Sequence, residues 1–247
     1  MTFFTHFSEL TFIQPVLPFD TMNVLLILIG LAFATIPILL AAPLSQQGRH
    51  KALKLWVTII VLLEVSRQVW AISLGRYDFA EMLPLHLCGM QVILMPIMLK
   101  TNKRELRTFV YLTALIGALA AILFNETILE KYPFWHFQTL QSFIIHGLIM
   151  MVPLYDIIWF KFRPSFKELP FSIIFMAYLG VQSFLINLWT GGNYLFVSFA
   201  PKNTPLEWIE TAVETSLYIP VMSVIVLIIW SLLLLPFMKK GGRYETI

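Results

Sequence analysis

The chain has 247 residues, 58% of them hydrophobic and 13% charged, with mean hydropathy +0.79 and a formal net charge of +3. A water-soluble domain carries about a quarter of its residues as charges, so composition excludes one and calls for a polytopic membrane protein. The lone cysteine, Cys88, rules out an intrachain disulfide, and no Lys or Arg precedes the first apolar segment, so a cleavable signal peptide is not expected.

Residues 1–20 are apolar but broken by Glu9, Pro15, Pro18 and Asp20, and are expected to lie along the interface as a pre-helix. Seven apolar segments follow, at about 22–43, 53–74, 82–99, 108–125, 136–160, 169–190 and 216–238. Each is close to the roughly 20 residues a helix needs to cross a bilayer. The expected fold is all-α: one membrane domain over 1–247, a bundle of seven transmembrane helices, with 191–215 as an outer loop or lid.

Charge sets the expected orientation. Arg49, Lys51 and Lys54 share a side with Lys100, Lys103, Arg104 and Arg107. Lys161, Arg163, Lys167 and the tail cations Lys239, Lys240 and Arg243 lie there too, whereas the other side has Arg76, Lys131 and Lys202. The positive-inside rule then places the N-terminus outside and the C-terminus inside. Asp78, Glu81, Glu126, Glu130, Glu207, Glu210 and Glu214 fall on the outer side, where Asn125-Glu126-Thr127 matches a glycosylation sequon.

Polar residues within the spans are the informative ones. In the second span Glu64, Arg67 and Gln68 share a face, and Glu64 can pair with Arg67, either as a structural ion pair or to hold an anionic group such as a lipid phosphate. The third opens Leu83-Pro84-Leu85-His86-Leu87-Cys88-Gly89-Met90-Gln91; Cys88 and Gln91 share a face, with His86 about 200° from Cys88 on an ideal helix. In the fifth, His136, Thr139, Ser142 and His146 fall within one arc, which serves either as hydrogen-bonding glue between helices or as the wall of a cavity. The sixth carries Ser183, Asn187 and Thr190, running into Gly191-Gly192-Asn193-Tyr194. At 1.5 Å per residue these groups all lie within roughly 15 Å of the outer boundary, while the inner half is apolar apart from Asp156. That one-sidedness implies a polar cavity open to the outer leaflet.

At these residues the sequence resembles the YwaF-like integral membrane proteins of bacteria, which are related to the transmembrane protein 164 family of animals. The matching pieces are Leu83 to Cys88, Tyr132-Pro133-Phe134-Trp135-His136-Phe137 with His146-Gly147, and Gly192-Asn193-Tyr194-Leu195-Phe196. The resemblance implies a phospholipid acyltransferase using a membrane cysteine and a histidine. In the animal proteins the cysteine stands directly before the histidine matching His86, where this chain has Leu85. Either Cys88 substitutes from the next turn or the chemistry uses no cysteine.

The leading expectation is acyl transfer on a phospholipid or lipidated substrate in a bacterial plasma membrane, without cofactor, metal or nucleic acid. His146 or His86 would act as general base and Cys88 as a possible thioester nucleophile. Arg67 and Glu64 would bind the headgroup, with His136, Gln91, Asn187, Asn193 and Tyr194 lining the substrate site, Asn187 or Asn193 at the oxyanion. Two alternatives stand beside it: a zinc hydrolase on His86, His136 and His146, and a transporter for a proton or small anion. A retinal protein is excluded, because the last span has no Lys for a Schiff base.

Overall fold

The computed structural model describes residues 3–10, 19–202, 204–213 and 215–238. Pro15 and Pro18 of the expected pre-helix, Glu214 and the tail cations Lys239, Lys240 and Arg243 lie outside the described residues. The described part is helical, and its long helices are α1 (Thr21–Leu40), α2 (Gln46–Ser73), α3 (Leu87–Thr101), α4 (Arg104–Leu123), α6 (Phe137–Trp159), α7 (Leu169–Thr190) and α9 (Thr215–Leu234), with short α5 (Glu126–Leu129) and α8 (Pro205–Ala212) between them.

Local chemistry sets the helix starts. The Asp20 carboxylate accepts the Asn23 N–H (2.7 Å) at the head of α1, and the Ser45 hydroxyl accepts that of Gly48 at the head of α2. His136 caps α6 through Nδ1, which accepts the Gln138 N–H at 3.1 Å. At the far end of α7, Gly191 adopts φ +74° and its N–H bonds the Asn187 carbonyl, a left-handed cap open to glycine.

Among the described residues six helices are long and apolar enough to cross a membrane: α1, α2, α4, α6, α7 with the turn before it, and α9. The third expected span differs. Residues 82–86 run as turn rather than helix, and α3 starts at Leu87 and has 15 residues. Pro84 explains the delay: Gly89 packs so closely on it that an added Cβ would sit 2.9 Å from the Pro84 backbone, a fold-back no continuous helix allows. The N-terminal segment also departs from a pre-helix. Residues 3–10 hold only a 3₁₀ turn, Phe7–Glu9, strapped across the ends of α2 and α6.

Helix α6 is the hub, packing on α1, α4 and α2. Its crossing with α1 is close: a Cβ on Gly147 would lie 2.2 Å from the Gly30 carbonyl oxygen. Small residues let membrane helices approach in this way, where lipid offers no hydrophobic drive. Around that contact sit Leu26, Ala34, Phe143, Leu148 and Met151, all buried. Helices α7 and α9 bury far less and present apolar faces outward, as lipid-facing helices do.

Candidate functional site

His86, His136 and His146 gather at the end of the bundle that carries the connections from α2 to α3, α4 to α6 and α7 to α9, whereas His50 stacks on Phe160 at the other end. Two of these connections are tied to each other. The Tyr194 hydroxyl donates to the Phe79 carbonyl (2.7 Å) and accepts the Leu83 N–H (3.0 Å), so the turn after α7 clasps the turn before α3. Gly192 makes the clasp possible, since a Cβ there would come within 2.6 Å of the Ala80 carbonyl. Leu195 and Phe196 take positive φ, 55° and 54°, costly for L residues and held here by this clasp. The ring of His86 ends up between those of Tyr194 (centroids 5.2 Å) and Phe196 (5.0 Å).

Beneath the clasp lies the ion pair. Arg67 donates through Nη2 to Glu64 Oε1 at 2.7 Å and through Nε to Oε2 at 3.1 Å. Its Nη2 also reaches the Met82 carbonyl (2.9 Å), which accepts the Gln68 amide as well (2.8 Å). The pair thus bolts α2 to the turn before α3. A buried carboxylate is tolerated only with such partners.

His146 stands next to it on α6. Its Nδ1 donates to the Ser142 carbonyl at 2.6 Å, one turn back, which leaves Nε2 as the unprotonated nitrogen. Nε2 makes no hydrogen bond among the described residues. His146 lies within Coulombic reach of Glu64 and Arg67, and His86 within reach of Arg67 and His146. The His86 ring likewise makes no hydrogen bond among the described residues. Two imidazoles with free ring nitrogens and one ion pair therefore lie within Coulombic reach of one another.

The other expected site residues are spent elsewhere. Both nitrogens of His136 are used: Nδ1 on the Gln138 N–H, and Nε2 donating to the Thr5 carbonyl at 2.9 Å. Its ring stacks on Tyr132 at 4.3 Å. Asn187 places its carbonyl oxygen on the Tyr194 N–H (2.7 Å) and its amide on the Tyr194 carbonyl (3.1 Å). Asn193 spans the same turn to Phe199 (2.8 Å). Gln91 donates to the Thr113 hydroxyl of α4 (2.8 Å), and its Oε1 is buried with no partner among the described residues. The Cys88 sulfur faces α4, where a Cβ on Gly117 would touch it at 3.4 Å, and no imidazole bonds it. Thr139 donates to the Pro133 carbonyl at 2.9 Å.

A zinc centre on His86, His136 and His146 lacks its donor set, because the His136 ring is committed and no group of three His, Cys, Asp or Glu converges among the described residues. A hollow at this end, about 420 Å³, is lined by Gln68, Ile72, Tyr77 and Phe79 on the flank of α2 and by none of the histidines. It is not the polar cavity expected to open toward the outer leaflet. Sequence reasoning missed Met82, whose main-chain carbonyl anchors the ion pair, and the structural role of Tyr194. The signal for both was the pair of glycines, Gly89 and Gly192, flanking the segments that meet.

A model of the TMEM164 family matches residues 17–234. The chain belongs to the TMEM164 family. No curated protein and no solved structure matches it. Within this TMEM164 member two of the three resembling segments, Leu83 to Cys88 and Gly192 to Phe196, are those that clasp around His86. It is a multi-pass membrane protein, and Leu85 stands directly before that histidine.

Proposed function

We propose that this TMEM164-family protein is a plasma-membrane acyltransferase that moves a fatty acyl group on a phospholipid or lipidated substrate, with the histidine end facing the outer leaflet. The observation that carries the reading is the tautomer of His146. Nδ1 is anchored on the Ser142 carbonyl and Nε2 is bare, beside a carboxylate and a second free imidazole. A base held this way takes a proton from an acceptor hydroxyl as its oxygen attacks the acyl ester carbonyl. The imidazolium that forms is steadied by Glu64, whose own position Arg67 and Gln68 fix. That imidazolium then returns the same proton to the departing alkoxide, which leaves His146 neutral for the next turnover. Lipid would approach from the hollow on the flank of α2, beside Ile72 and Phe79, where Gln68 links the lining to Glu64.

This route is direct. Cys88 points into the apolar packing against α4, away from any base, so the proposal dispenses with a thioester. Asn187 and Asn193 serve as organisers of the turn rather than as oxyanion donors. The test is acyl transfer between labelled phospholipids in vesicles holding the purified protein, read by mass spectrometry. His146→Gln should lower the rate by roughly 10²-fold or more, and Cys88→Ala should leave it within a factor of two or so of the starting protein. Full activity in His146→Gln overturns the proposal; loss in Cys88→Ala restores the thioester.

A further inference from the structure

The opposite end of the bundle holds a second hollow, about 640 Å³, between α3 and α7 where both lean on the start of α4. Leu94 and Leu106 are buried at its base, and Ile97, Phe171 and Phe175 form its partly exposed sides. It extends along α3 from Leu94 to Thr101, about 10 Å at 1.5 Å per residue. That is roughly two thirds of one leaflet of a ~30 Å hydrocarbon core. The dimensions and lining suit a single acyl chain.

The rim is what separates this groove from ordinary lipid-facing surface. Lys103 and Glu105 both line it and both are exposed. Neither forms an ion pair or side-chain hydrogen bond among the described residues. Their neighbours are committed: Arg104 to Glu168 and Arg107 to Asp156. The groove therefore presents one free cation and one free anion that do not neutralise each other.

We propose that this groove is a binding site for an amine-bearing zwitterionic phospholipid, with one acyl chain between α3 and α7, its phosphate on Lys103 and its primary ammonium on Glu105. A carboxylate favours a primary ammonium because the ammonium donates hydrogen bonds and a quaternary one does not. A purely anionic headgroup would satisfy Lys103 and be repelled by Glu105. The site is separate from the histidine cluster and does not depend on the acyl-transfer reading.

The experiment places the full chain in phosphatidylcholine vesicles doped with a phospholipid carrying a photoactivatable acyl chain, in three versions: ethanolamine, choline or glycerol headgroup. Adducts are mapped after irradiation. The ethanolamine probe should label 94–101 and 171–175 about threefold more than the other two, the discrimination expected of one exposed charge pair. In the double variant Lys103→Gln with Glu105→Gln that excess should vanish, with labelling of α9 unchanged as a check on folding. Equal labelling by the three probes would reduce the groove to annular lipid and overturn the proposal. A glycerol-headgroup excess would overturn the amine assignment, and cross-links to a second copy in place of lipid would make the groove an interface.

Discussion

His136 and His146 stand ten residues apart on one helix and do opposite things. His146 keeps Nε2 free beside a carboxylate, whereas His136 spends both nitrogens on main-chain groups and packs its ring on Tyr132 and Trp70. Spacing alone cannot separate them, because the 100° arc places both on one side of the helix. What separates them is the N-terminal segment, far away in sequence, whose Thr5 carbonyl arrives at His136. The consequence is measurable. His136→Ala leaves a buried carbonyl and a helix N–H unpaired, which should cost roughly 2 kcal/mol and lower the melting temperature in detergent, while the rate per folded molecule stays near that of the starting protein. A rate loss without a melting shift would move His136 into the reacting site.

At the scale of elements, two contacts were beyond the reach of hydropathy. The first is the crossing of α1 and α6. Gly147→Val would force a side chain onto the Gly30 carbonyl and should destabilise by about 3 kcal/mol or more, whereas Gly180→Val on α7, which meets nothing within 4 Å, should be neutral or slightly stabilising. Equal thermal shifts for the two would show that the crossing has slack. The second is the strap of residues 3–10. The Trp70 indole N–H donates to the Phe4 carbonyl (2.8 Å) and the Phe137 N–H to that of Phe3 (3.0 Å). His6 Nδ1 accepts from the Ser8 N–H at the turn, and burial, then the nearby Arg76 charge, hold the His6 pKa below its usual 6.5. The strap in place thus binds fewer protons than the strap released. Its attachment is strongest above about pH 6.5 and weakens as the pH falls below that. Amide exchange over 3–10, corrected for intrinsic rates, should speed up between pH 7.5 and 5, and His6→Asn should remove that dependence. The helices themselves were legible: α7 occupies the expected 169–190, and α1, α4 and α6 fall within a few residues of expectation. Periodicity says how long a segment stays apolar. It does not say which apolar face meets protein and which meets lipid, so neither the crossing nor the strap was written in it.

Across the whole molecule the two ends are built on different terms. At the histidine end, polar side chains remain uncommitted around a tightly tied frame. At the other end the buried charges are locked, with Lys103 and Glu105 left free at the rim of the groove: Arg107 grips both oxygens of Asp156 and also bonds Asn102, and Arg104 reaches the buried Glu168 that follows the α6–α7 connection. The sequence reading placed Arg107 in a loop and left Asp156 as an isolated polar residue, since the two are 49 positions apart and no local spacing joins them. The structure makes them one object, a clamp between α4 and α6 with Phe162 over the guanidinium at 4.8 Å. Removing one half strands the other. Arg107→Ala should destabilise by about 3–5 kcal/mol, because Asp156 is left charged and enclosed. The double variant Arg107→Met with Asp156→Leu should regain most of that loss, since a matched apolar pair needs no counter-charge. Both are read by thermal or denaturant unfolding in detergent. Asp156 is ten residues from His146, about 15 Å along α6, so acyl transfer by the folded double variant should match that of the starting protein. If the double variant is as unstable as the single one, the clamp holds the bundle by more than charge balance. If it is stable but inactive, the two ends communicate through α6, and the hub would carry a signal as well as the fold.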